Sequence, residues 1–273
     1  MKQYNHRIEF DEIKNLEYAI LEEFDKFARE NKLKYFLCGG SCLGAIRHQD
    51  FIPWDDDIDV CMEREDYDRL MALVKNHRSL LTKPEYKFML PLDLNYIYPY
   101  AKLVDTNTVV YEKDIHPQFS TGVWIDIFPM DIWPDDKQVL TEIMNKHRFY
   151  KMMNKICVAG NVTSLKKKIL CIIGKIGYSI VFHGKDYRYW IKKILELNEP
   201  CEGTYVGNRV WPVKDKEFFT KEVFKEQLYT KFRNKDFPIP IGYEEYLTKM
   251  YGDYMELPKP EDRIFHDFEG YIK

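Results

Sequence analysis

The sequence lacks most of the signatures that assign a chain quickly. Its six cysteines (Cys38, Cys42, Cys61, Cys157, Cys171, Cys201) form no C-x-x-C pair and no zinc-finger spacing. Several sit in apolar runs, so buried, reduced thiols of a cytoplasmic protein are expected. No H-E-x-x-H and no H-x-E…P-C-x-x-C arrangement occurs among the scattered histidines, which removes support for zinc hydrolase and deaminase chemistry. The G-x-S-x-G nucleophile elbow, the Walker loop and the G-x-G-x-x-G dinucleotide fingerprint are also absent. Charge of one sign is not in excess: 41 basic against 44 acidic residues leave a net −3, so the balance gives no reason to expect nucleic acid as a partner. There is no internal repeat and no low-complexity segment. The polar start, Met1–Ile13, does not read as a signal peptide, and the cytoplasm is the expected location.

Long apolar runs are scarce as well. The most apolar stretch, Ile169–Phe182, has fourteen residues, too few to span a bilayer as a helix. It follows Lys166-Lys167-Lys168, so residues 166–182 offer two readings. A basic cluster beside an apolar helix can touch the anionic inner face of a membrane peripherally. A buried core helix is the plainer account and is the expectation here.

What remains is a globular composition, 45% apolar and 31% charged over 273 residues, enough for one large domain or two small ones. Leu16, Ile20, Phe24 and Phe27 recur at helical spacing within residues 10–31. Tyr35–Cys38 reads as a short strand ending at Gly39-Gly40, and Ser41 as the cap of a short helix. Asp57–Met62 alternates acidic and apolar residues in strand fashion, and residues 64–76 read as helix. Two strands follow, Tyr98–Val104 and Thr108–Tyr111, with Asp105-Thr106-Asn107 as the turn. In Val123–Phe128 the odd positions face one way, and Trp124, Asp126 and Phe128 the other. Residues 135–198 read as helical, a strand such as Thr204–Val210 follows, and a helix covers Tyr243–Met250. The expected class is α+β (mixed α/β), divided into a core 1–135, a helical insertion 136–236 and a C-terminal segment 237–273 packed back on the core, or forming one continuous domain.

The chemistry concentrates in two places. Gly39-Gly40-Ser41 lies between a strand and a helix start, where unobstructed N–H groups can hold a phosphate. Sixteen residues after Ser41 come Asp57 and Asp59. In a strand, residues i and i+2 share a face about 7 Å apart, so both carboxylates can grip one Mg²⁺. A solvated acidic run is the bland alternative. Against it, Asp55-Asp56-Asp57 is wedged between apolar residues, and adjacent acids repel unless a cation is near. Asp126 is either a third metal ligand or a buried aspartate paired with a lysine or arginine. Arg47 and Lys102 are candidate phosphate partners, or simple surface cations. Aromatic faces suit sugar stacking or a quaternary ammonium ion, and Tyr98, Tyr111, Trp211 and Tyr254 are candidate wall residues of that kind.

These residues resemble the LicD family. The resemblance rests on Leu37–His48, on Phe51–Val60, on Tyr100–Asp105, on Trp124–Pro129 and on Tyr251–Met255 with Leu257-Pro258. It runs in order from about residue 10 to the C-terminus and is weakest over 135–235. The family is similar in its core to the nucleotidyltransferase superfamily. It includes bacterial phosphocholine transferases and relatives of fukutin and fukutin-related protein, which transfer ribitol phosphate. The resemblance implies a nucleotidyltransferase-like mixed sheet, a CDP-alcohol donor (CDP-choline first) and a glycan or lipid-linked glycan acceptor. It implies Mg²⁺, with Mn²⁺ as substitute, held by Asp57, Asp59 and Asp126, the catalytic residues. Gly40, Ser41, Arg47 and Lys102 would bind substrate. Other phospho-alditol donors, nucleotidyl transfer from an NTP, and a non-catalytic binding protein are the alternatives.

Overall fold

The computed structural model describes residues 6–76, 81–160, 165–213, 216–263 and 268–273. In chain order the elements are β1 (His6–Arg7), α1 (Phe10–Glu30), β2 (Phe36–Leu37), α2 (Gly39–Arg47), β3 (Asp59–Glu63), α3 (Arg64–Asn76), β4 (Tyr86–Met89), β5 (Ala101–Asp105), β6 (Thr108–Glu112) and β7 (Trp124–Trp133). Then come α4 (Lys137–Val158), α5 (Leu165–Val181), α6 (Tyr187–Glu196), β8 (Tyr205–Gly207), β9 (Phe219–Thr220), β10 (Gln227–Phe232), β11 (Lys235–Pro240), α7 (Tyr243–Tyr251) and β12 (Phe268–Ile272). This is the expected α+β class.

The central sheet runs β2-β3-β7-β5-β4, and β8 and β9 extend it from the far end of β7. Among the described residues only β3 and β7 pair in parallel; the other ladders are antiparallel. The long strand β7 is the spine. Its Pro129 falls where the pairing with β5 has ended at Ile127 and that with β8 has not begun at Asp131, so the missing N–H breaks neither ladder. Strand alternation assigns its faces. Val123, Ile125 and Ile127 are fully buried in the core with Ile20, Leu21 and Phe24 of α1. Trp124, Asp126, Phe128 and Met130 face a cavity on the other side. One face of the sheet is thus sealed by a helix, and the other is free to carry chemistry.

Helix α1 does more than seal. Lys14, buried to 6% exposure, donates to the carbonyls of Ile52 (3.1 Å) and Pro53 (3.2 Å) and holds the segment leading into the acidic run. A smaller apolar cluster, including Tyr96, Tyr98, Tyr100, Val158 and Ile191, ties the helical block to the sheet. His147 belongs to this framework. Burial lowers its pKa to about 4, so the ring is neutral, and Nε2 lies 2.8 Å from the Val210 carbonyl.

Several expectations need correction. Ser41 does not cap α2; it lies inside the helix, and Cys38 is the cap residue, without a side-chain bond. Asp57 lies before β3, not within it, because the strand begins only where pairing with β7 begins, at Asp59. The turn at 106–107 joins β5 to β6 without pairing them. β6 instead joins β12 and β1 in a separate three-stranded sheet. The run 135–198 is three helices, and strands β8 to β10 follow before residue 236. Cys38, Cys42 and Cys61 are buried free thiols, whereas Cys157 and Cys201 are half-buried; the side chain of Cys171 lies outside the described residues.

Candidate active site

The site is built where β2 turns into α2. Gly39 has φ +55°, which only glycine adopts cheaply, and a Cβ there would stand 2.8 Å from Asp59 Oδ2. A Cβ on Gly40 would stand 2.2 Å from Asp55 Oδ2. The glycines therefore let acidic side chains lie directly on the backbone. Gly39 N–H donates to the Tyr246 hydroxyl at 2.8 Å. The N–H groups of Gly40 and Ser41, in the first turn of α2, have no intrahelical carbonyl to reach and point where an anion is favoured. The Ser41 side chain is buried, and its Oγ accepts the Asp59 N–H at 2.9 Å. Its contribution is to fix the start of β3.

Gly39→Ala should therefore damage the site from two directions, a left-handed φ and a clash with Asp59. A melting experiment is expected to show a loss of about 1–3 kcal/mol. Gly174→Ala, on α5 with nothing within 4 Å of its Cβ, is expected to be neutral or to stabilise by up to about 1 kcal/mol.

The parallel register sets Asp59 directly beside Asp126 on the neighbouring strand. Asp57, Asp59 and Asp126 all line one cavity of about 830 Å³, together with Gly39, Gly40 and Lys102. Burial raises the pKa of Asp59 well above the carboxylate range, and the charges of Asp57, Asp126 and Asp55 add to this. Asp126 is also raised by burial, but Lys102 opposes the rise; its Nζ lies 2.9 Å from Asp126 Oδ1. Lys102 is 1% exposed, and its ammonium sits over the rings of Trp124 (3.8 Å) and Tyr98 (4.4 Å). The cation at this position is an internal fixture and not a surface charge.

Among the described residues, no three His, Cys, Asp or Glu side chains form a ready-made metal cage. Mg²⁺ does not need one, since it is commonly held by one or two carboxylates, water and the substrate's phosphates. Asp57 and Asp59 are the pair that would serve, and the repulsion of Asp57 on Asp59 is the electrostatic condition a divalent ion relieves. The donor set fits the ion.

A second cavity, of about 770 Å³, shares Gly40, Asp57 and Asp59 with the first. Arg47 lines this one. Its Nη1 donates to the carbonyls of Tyr254 (2.8 Å) and Glu256 (3.2 Å), tying α2 to the C-terminal segment. Tyr98 and Trp211 line the first cavity, Tyr254 the second, and Tyr111 neither. The Trp211 face already carries the Lys151 ammonium at 3.6 Å, whose pKa burial lowers to about 8.

Sequence reasoning missed Glu217. It lines the first cavity beside Tyr246, is 6% exposed, and is bonded by the backbone N–H groups of Asn208 and Val213. Burial raises its pKa to about 7. No motif surrounds it, and only the fold carries it to the glycine turn.

A mixed sheet with a glycine turn opening a helix and aspartates on adjacent parallel strands is the arrangement expected of a nucleotidyltransferase-like core. The family described as LicD/FKTN/FKRP, nucleotidyltransferase domain, matches residues 32–159. The lipopolysaccharide cholinephosphotransferase LicD of Haemophilus influenzae is 31% identical, over 93% of this chain and 94% of that protein. The ribitol 5-phosphate transferase FKRP of Homo sapiens is 56% identical over 34 residues, 12% of this chain and 7% of its own. The chain belongs to the LicD family.

Proposed function

We propose that this protein transfers a phospho-alcohol from a CDP-linked donor to a hydroxyl of a cell-surface glycan or its lipid-linked precursor, releasing CMP. The observation that carries the reading is the meeting of two cavities at Asp57 and Asp59, which gives donor and acceptor separate approaches to one pair of carboxylates. The near full-length similarity to a cholinephosphotransferase makes CDP-choline the first donor to test.

Asp57 and Asp59 would hold Mg²⁺, or Mn²⁺ in its place. When bound, the ion supplies positive charge against the donor's phosphates and eases departure of CMP. The first-turn N–H groups at Gly40 and Ser41 orient a phosphate oxygen. Ser41 Oγ keeps Asp59 in register, and Lys102 holds Asp126 fixed on the floor. Arg47 holds the C-terminal segment over the second cavity. The acceptor oxygen forms a bond to the phosphorus that bears the alcohol, and the bond from that phosphorus to the CMP oxygen breaks. The hydroxyl proton passes to a carboxylate. Asp126 is already engaged by the Lys102 ammonium; Glu217, its pKa raised by burial to about 7, is the first candidate acceptor.

The test is incubation of the protein and Mg²⁺ with each of a panel of CDP-alcohols and a glycan acceptor, following CMP. CMP release that requires the acceptor is expected, fastest with CDP-choline. Pyrophosphate release from CTP, with no CMP from any CDP-alcohol, would replace this reading by nucleotidyl transfer.

A further inference from the structure

Helix α5 contradicts the expectation that residues 166–182 form a buried core helix. Ile169, Ile172, Ile173, Ile176 and Ile180 are 51%, 58%, 60%, 57% and 76% exposed. At 3.6 residues per turn these five positions fall on one stripe. The opposite side of the helix is the one that packs. Lys175 Nζ donates to the Ala159 carbonyl at 2.8 Å, and the Tyr178 hydroxyl accepts from Trp190 Nε1 at 2.6 Å. The helix is therefore docked on its neighbours by its polar and aromatic side, with an unbroken isoleucine ridge turned outward. Scattered exposed apolar residues are ordinary, but a contiguous ridge of β-branched side chains is not.

The charge pattern identifies what covers it. Residues 165–185 contain five lysines (Lys166, Lys167, Lys168, Lys175, Lys185) and no acidic residue, in a chain whose overall charge is −3. The side chains of Lys166, Lys167 and Lys168 lie outside the described residues; their charge is a property of the sequence. A second copy of the chain on this ridge would bring like charges together. An anionic bilayer offers both an apolar phase for the isoleucines and opposite charge for the lysines. Among the described residues no helix is long and apolar enough to cross a membrane, so α5 would lie in the plane of the surface.

We propose that the isoleucine ridge of α5 docks the protein on the surface of an anionic lipid bilayer. The inference stands on the ridge and its charge, independently of the transfer reaction. Ridge burial would place the remainder of the molecule at the lipid surface, within reach of a lipid-linked acceptor.

The test is co-sedimentation of the full chain with vesicles of phosphatidylcholine and phosphatidylglycerol, and with vesicles of phosphatidylcholine alone. A triple variant, Ile172→Ser/Ile176→Ser/Ile180→Ser, is compared with the parent, and its melting temperature and CMP release on a water-soluble acceptor are checked. Since the ridge supports no core, both should stay near the parent's. The expected result is binding to anionic vesicles that falls at least tenfold in the variant, weakens in high salt, and is much poorer on the neutral vesicles. The proposal is overturned if the parent stays in the supernatant, if the variant binds as well as the parent, or if neutral vesicles bind equally. It is equally overturned by a lipid-free dimer that the variant abolishes, since the ridge would then be an interface between copies. A variant that fails to fold would contradict the exposed placement of the ridge. Lys166→Gln/Lys168→Gln, which leaves the ridge intact, gives a second reading of the charge: unaltered binding to the anionic vesicles overturns the lipid-charge match.

Discussion

Asp59→Asn should lower CMP release by at least ~10²-fold, and Asp57→Asn should do the same. The substitution preserves shape and removes one unit of ligand charge, so the loss reports on electrostatics rather than packing. Stability should move the other way. Asp59 has a folded-state pKa raised above its unfolded value, so its contribution favours the fold at low pH and is lost as pH rises through the folded pKa. At neutral pH the charged form is a liability in the metal-free protein, crowded by Asp57, Asp126 and Asp55. Asparagine removes it, and the metal-free variant should melt at or above the parent's temperature. Mg²⁺ should then raise the melting temperature of the parent, as any ligand of the folded state does, and much less that of the variant. Inactivity with an unchanged or higher melting temperature separates a lost ligand from a damaged fold. Turnover within a few-fold of the parent in both variants would end the metal reading, and so would an equal Mg²⁺ shift in all three proteins.

How much of this could be read without coordinates depends on distance along the chain. The glycine turn was legible because turn chemistry is local, and Asp59 because it opens a strand whose alternation is local. The facing of Trp124, Asp126 and Phe128 was legible for the same reason. Asp57 reaches the cavity from the segment before β3, so alternation does not account for its place. The pairing of Asp59 with Asp126 was not, because no local pattern states that β3 and β7 lie side by side. Lys102 and Asp126 each carried two readings, and the structure joins them as one ion pair inside an aromatic pocket. Ser41 was misread because a serine at a helix start is usually a cap; here a tertiary donor, Asp59 N–H, reaches its hydroxyl instead. Helix α5 was misread because apolar periodicity reports that a face wants covering, and not whether the protein itself does so. Glu217 sits in a loop before β9, and its environment is assembled by Asn208 after β8 and Tyr246 of α7. A lone glutamate in such a stretch has no signature.

Glu217 also carries the second large effect. Glu217→Gln should lower kcat by ~10²–10⁴-fold if the carboxylate takes the acceptor's proton. The pH profile tells this apart from a structural role. A base must be ionised, so the parent's rate should rise with pH and level off above about 7, where Glu217 has lost its proton. The variant's residual rate should lack that limb. The stability prediction has the opposite direction. The folded-state pKa of about 7 exceeds the ordinary 4.5, so the stabilisation associated with the protonated form is complete below the unfolded pKa and lost as pH rises to 7. That shift, from 4.5 to about 7, corresponds to roughly 3.5 kcal/mol at most, at about 1.4 kcal/mol per unit. Glutamine cannot ionise, so the variant should equal the parent near pH 4 and be the more stable of the two at pH 8. A residue that merely braced the loop would lose stability on substitution at every pH and leave the shape of the rate profile alone. An active variant that keeps the acid limb would remove Glu217 from the reaction and leave the limb to another raised carboxyl of the same cavity, Asp59 or Asp126. On this reading the two carboxyls would divide the work by their surroundings: Asp59 is crowded by like charges that a cation would settle, whereas Glu217 is desolvated against backbone N–H groups, the condition under which a carboxylate can exchange a proton near neutral pH.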